Sequence, residues 1–103
     1  MSRRALPSRR RSELLSLQHA GHAYVVGASR FEDGDLAEVF VDALKGSSAL
    51  ADSARDAAIL ASLALQFGCP AHVLRHALAR SSEGNAAGPL GAALDLLEGH
   101  GDD

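Results

Sequence analysis

Hydrophobic and polar positions alternate along the first half of the chain and then change period. Residues 11–18 (RSELLSLQ), 23–31 (AYVVGASRF) and 36–44 (LAEVFVDAL) read as strands, and in the last two the side chains sort onto two distinct faces at the strand period of two. In the second run Tyr24, Val26 and Ala28 share one face, and Val25, Gly27 and Ser29 share the other. In the third, Ala37, Val39 and Val41 make a purely apolar face, while Leu36 and Phe40 stand with Glu38 and Asp42. The breaks between runs are turn-forming. His19-Ala20-Gly21-His22 separates the first two, and Glu32-Asp33-Gly34-Asp35 predicts a tight hairpin between the second and third. The pattern is a three-stranded antiparallel meander with its strands in chain order.

After Gly46 the period becomes helical. Ser47 or Ser48 caps a helix through Phe67, and from Ala57 to Leu65 only Ser62 is polar. A helix apolar all round predicts a central, buried element. Gly68 ends it and Cys69-Pro70 opens the next segment. Residues 71–80 predict a second helix, with Val73, Leu74, Ala77 and Leu78 inward and Arg75, His76 and Arg80 outward. After the loop Ser81–Gly88, Pro89 stands at a first-turn position of a third helix carrying Leu90, Ala93, Leu94 and Leu97. The expected fold is α+β, a three-stranded sheet followed by three helices on one face.

Composition sharpens this picture in two places. The chain has 103 residues, no Trp, three Phe and one Tyr, so its core must come from Ala, Leu and Val. So thin a core favours pairing with a second copy. Charge is uneven. Arg3, Arg4, Arg9, Arg10 and Arg11 are five of the ten basic residues, which leaves five basic against thirteen acidic residues beyond position 11. Residues 1–10 are expected to be a disordered basic arm, 11–98 a single domain and 99–103 an acidic tail. A basic arm can contact an acidic protein or nucleic acid phosphates, although it carries no aromatic side chain to stack on bases, and on a homodimeric body it would make the chain an independent interaction module. No apolar run has the roughly 20 residues of a membrane span. The single cysteine excludes a disulfide framework within the chain and is in keeping with the cytoplasm.

The turn DG, then LAEVFVDA, KGSS, ARDAAILASLALQFGCP, LRHAL and AAGPLGAALDLL, together with the opening LPSRRRSELLSLQHAGHAY, resembles the TSCPD domain family over residues 6–98. That domain closes the cobalamin-dependent (class II) ribonucleotide reductases and also occurs as small free-standing bacterial and phage-related proteins. The Thr-Ser-Cys-Pro-Asp run that names the family is absent, and Gly68-Cys69-Pro70 is its nearest match. The resemblance implies a link to deoxyribonucleotide supply, through a nucleotide or a reductase partner. It does not imply catalysis by this chain. Ribonucleotide reduction requires a cysteine pair and a large barrel, and one cysteine in 103 residues supplies neither. Cobalamin is expected only in the larger relatives.

Candidate chemistry is sparse. Lys45-Gly46-Ser47-Ser48 precedes a helix, and the loop with Gly84, Asn85 and Gly88 precedes another, so each can present backbone amides to a phosphate. Neither has the full phosphate-loop spacing. His72 and His76 are four apart on one helix, but no accompanying ligand pattern makes a metal site. Cys69 begins a helix, where a thiol is reactive if exposed and inert if packed. The mixed strand face with Leu36, Glu38, Phe40 and Asp42 is too apolar for plain surface and too charged for core. It is expected to be an interface, for a second copy or, in longer relatives, for the body of a reductase.

Overall fold

The computed structural model describes residues 2–8, 11–45 and 48–99. Its elements are β1 (Arg11–His19), β2 (His22–Arg30), β3 (Leu36–Ala43), α1 (Ser48–Gln66), α2 (Ala71–Ala77) and α3 (Pro89–Leu97). The strands form one antiparallel sheet in the order β1-β2-β3. The α+β meander expected from the alternation is therefore the fold.

The two hairpins differ. Ala20 and Gly21 both take positive φ, 51° and 81°, the backbone of a two-residue turn whose twist matches its strands. The second connection is longer than a tight hairpin. Residues 31–35 fold back on themselves, with Phe31 N–H donating to Asp35 O (2.8 Å) and Gly34 N–H to Phe31 O (3.0 Å). Beside it the β2–β3 register slips, since Ser29 pairs with Glu38 but Arg30 pairs with Leu36. Two β3 residues thus oppose a single step of β2, which reverses the inward side at that point. Leu36 turns into the core beside Ala37 and is only 3 % exposed. The expectation that Leu36 shares an open face with Phe40 is corrected by this irregularity.

The helices cover one face of the sheet. Tyr24, Val26 and Ala28 of β2 and Val39 and Val41 of β3 meet Ala54, Ala58, Ala61 and Leu65 of α1 and Leu90, Ala93, Leu94 and Leu97 of α3. The alanine stripe of α1 lets its backbone lie close on β3. α1 is not the buried central helix its composition predicts. Ile59, Leu60 and Leu63 on its other side are exposed, because one layer of short helices cannot enclose it. Its end is a glycine cap: Gly68 has φ 104°, Gly68 N–H donates to Leu65 O and Cys69 N–H to Ala64 O.

α2 departs most from its amphipathic reading. It ends at Ala77, Val73 and Ala77 face solvent, and Leu74 and Leu78 pack against the core. Arg75 turns toward α3, where its Nε donates to Asp95 Oδ1 at 2.8 Å.

Candidate functional site

The uncovered sheet face is the broadest surface on which the described residues place mixed chemistry. Register sets it in rows. Ser12, Ser29 and Glu38 lie across one row, Leu14, Gly27 and Phe40 across the next, and Ser16, Val25 and Asp42 across a third. Gly27 is the centre of the middle row. A Cβ built there would lie 3.4 Å from Phe40 Cδ2, so the Phe40 ring leans over the place a side chain would occupy. Leu14 and Phe40 stand 74 % and 49 % exposed on either side. The result is a shallow apolar trough with Val25 beside it. Its polar border is ordered, since Ser29 Oγ donates to Glu38 Oε1 at 2.5 Å. Of the four residues expected on this face, Glu38, Phe40 and Asp42 line it.

The outer edge of β3 is closed by α1. Val39 N–H donates to Ser62 Oγ (2.9 Å), Ser62 Oγ donates to Val39 O (3.1 Å), and Gln66 Nε2 donates to Ala37 O (3.0 Å). The one polar residue in the apolar middle of the helix thus satisfies an edge strand. A groove of about 400 Å³ runs between the two elements, with Val39, Phe40, Val41, Ile59 and Leu63 along it and Arg3, Glu38, Asp42 and Arg55 at its border.

Arg3 and Arg4 are held by the body, where the sequence suggested an unanchored tail. Arg3 Nε donates to Gln66 Oε1 (2.6 Å) and Arg4 N–H to Gln66 O (2.6 Å). The Arg4 guanidinium lies 3.7 Å from the Phe31 ring centroid and 2.8 Å from Asp33 Oδ2. The Asp35 N–H, and after it the Arg4 guanidinium, hold the Asp33 carboxyl below its ordinary range. Arg9 and Arg10 lie outside the described residues, as does the side chain of Arg11.

A polar cleft of about 220 Å³ gathers Arg4, Arg30, Asp35, Cys69, His72 and Glu98. Its cations are already engaged. Arg4 is with Asp33 and Asp35. Arg30 Nε donates to Glu13 (3.0 Å), and its Nη2 to the Leu97 carbonyl at the end of α3 (2.8 Å), with Glu98 3.6 Å from Nη1. Sequence reasoning gave Arg30 no such role, because its partners lie on β1 and α3. Cys69 is half-buried, with Sγ 3.8 Å from Pro70 O.

The two expected phosphate sites fare differently. Lys45 is exposed at the end of β3 and Ser48 opens α1, while Gly46 and Ser47 lie outside the described residues. The second loop is folded on itself. Ser81 N–H donates to Asn85 O, Asn85 N–H to Ser81 Oγ, and Arg80 Nη1 to Gly84 O. Gly88 borders a groove of about 270 Å³ with Leu50, Ser53 and Leu78, whose lining has no cationic side chain. His72 and His76 are both exposed, and among the described residues no three His, Cys, Asp or Glu side chains come together to hold a metal.

The fold and surface define a small α+β domain with one covered and one open sheet face. Over 68 residues, 66 % of the chain, it is 34 % identical to the vitamin B12-dependent ribonucleotide reductase of Bradyrhizobium diazoefficiens, and that stretch is about 5 % of the length of that protein. No family model matches the chain. No solved structure matches it. No helix among the described residues is long and apolar enough to cross a membrane.

Proposed function

We propose that the chain is a TSCPD-like accessory domain that serves deoxyribonucleotide supply in the cytoplasm by engaging a vitamin B12-dependent ribonucleotide reductase. It is not itself the catalyst. The observation that carries this reading is the 34 % identity to a short piece of such an enzyme. The open sheet face supplies the docking surface. Leu14 and Phe40 are the apolar contacts, and Glu38 and Asp42 with Ser12 and Ser29 form the polar border. A nucleotide remains a second ligand of the same module, with Lys45 and Ser48 at its candidate phosphate end.

The test is binding of the purified chain to a B12-dependent reductase, followed by sedimentation. Wild type co-sediments. Phe40→Asp and Leu14→Asp, both at exposed positions, keep their circular dichroism and lose the complex. Retained binding in both variants overturns the surface, and absence of binding by wild type overturns the partner. A thermal shift with nucleoside di- and triphosphates checks the nucleotide. At 100 times its dissociation constant a ligand stabilises the fold by about 2.7 kcal/mol. With adenosylcobalamin and a dithiol, the chain alone forms no deoxynucleotide.

A further inference from the structure

The solvent side of α1 carries a pattern that neither the sheet face nor the reductase reading uses. Ile59, Leu60, Leu63 and Phe67 are all exposed, Leu60 by 68 % and Ile59 by 51 %. They recur at spacings of three and four, so they form one stripe opposite the alanines on the sheet. Asp52 and Asp56 continue the stripe toward the helix start and are exposed; Asp52 is paired with Arg55 (3.7 Å) at its side, so the net negative charge of that end rests on Asp56. At the other end Arg3 is fixed beside the last turn by its hydrogen bond to Gln66. The stripe thus runs from negative, through apolar, to positive.

Such an order is complementary to itself when reversed. We infer that a second copy of this chain docks on α1, the two helices antiparallel about a two-fold axis between Ile59 and Leu63. Ile59 then faces Leu63 of the other copy, Leu60 lies at the centre, and Asp56 comes opposite the Gln66 end that holds Arg3. An unrelated apolar partner would explain the leucines but not the charge order. The area agrees as well. The exposed parts of these four side chains amount to roughly 350–400 Å² of apolar surface. A standard interface takes about 800 Å² per partner, a little over half of it apolar. The contact leaves both open sheet faces outward, so it is independent of whether a reductase binds there.

Sedimentation equilibrium on the full chain tests it. Wild type is dimeric, and Leu60→Asp is monomeric with unchanged circular dichroism. Asp56→Arg and Arg3→Asp each weaken the dimer about tenfold, since symmetry repeats each charge pair twice. The double variant Asp56→Arg/Arg3→Asp restores the wild-type constant to within about threefold, a residual of under 1 kcal/mol. A monomeric wild type at the highest soluble concentration overturns the inference. So does a dimer that tolerates Leu60→Asp, and so does a double variant no tighter than the singles.

Discussion

Arg80 and Asp95 meet as a fork, with Arg80 Nη1 donating to Asp95 Oδ2 at 2.9 Å and Nη2 to Oδ1 at 2.8 Å. Arg75 donates to the same Oδ1 from α2, so one carboxylate on α3 gathers α2 and the following turn. The Arg80 hydrogen bonds, opposed by partial burial and helped by Arg75, lower the Asp95 pKa from 3.8 to about 2. Its folded pKa lies below its unfolded one. The stabilisation is therefore full above about pH 4 and is lost as pH falls through about 2. With solvent screening it is worth about 1 kcal/mol. Urea melts of wild type and Asp95→Asn should differ at pH 7, and the gap should narrow from about pH 4 downward and close below about pH 2. A gap that stays constant with pH would show that packing, not charge, is responsible.

Ala20 occupies a left-handed backbone region with φ 51°. A Cβ there costs about 1–2 kcal/mol, and asparagine tolerates it better. Ala20→Asn is expected to raise stability by about 0.5–1 kcal/mol without touching the core. Thermal melts decide it, and an unchanged or lower midpoint rejects the strain.

Ser62→Ala removes the partner of both the Val39 N–H and the Val39 carbonyl. An unsatisfied pair in that half-buried place costs about 1–3 kcal/mol. Denaturant unfolding should show the loss, and amide exchange at Val39 should quicken. Exchange as slow as in wild type would mean that water or a neighbour replaces the hydroxyl.

The order of strands and helices is legible because alternation, turn residues and the change of period are local signals. Their misreadings share a cause. The slip beside Ser29 that buries Leu36 is invisible to a rule of alternation, which assumes unbroken pairing. The all-apolar stretch of α1 reads as core because composition does not reveal how few layers exist to cover it. Arg75 reads as surface, yet it finds a carboxylate on α3, and Arg30 pairs with Glu13 and Glu98, which lie far from it in sequence. The candidate face was legible at Glu38, Phe40 and Asp42. The trough at Gly27 was not, since it depends on which residues β1 and β3 place beside it.

The arm offers a direct contrast of expectations. An unanchored tail can be removed without effect. Arg4 packed on Phe31 and paired with Asp33 and Asp35 predicts a loss. Deleting residues 2–8 is expected to lower the melting midpoint by about 4 °C or more, corresponding to about 0.5–1 kcal/mol. Arg4→Ala should reproduce much of it, and added salt should shrink the difference. A truncated chain that melts with wild type would restore the free tail and leave all its arginines available to polyanions.

Ser62 and Gln66 have a consequence for how such sheets can be joined. The sheet has two rims, and on β3 the Val39 and Ala37 backbone groups are bonded to helix side chains, whereas β1 has no strand beyond it among the described residues. If two molecules met rim to rim, β1 would zip to β1, and the ribbon so formed would end on both sides in a β3 already occupied. Addition along the ladder stops after one step. The same hydroxyl and amide that steady the helix on its strand therefore close the β3 rim, so that the sheet itself can be doubled through β1 but not lengthened strand by strand.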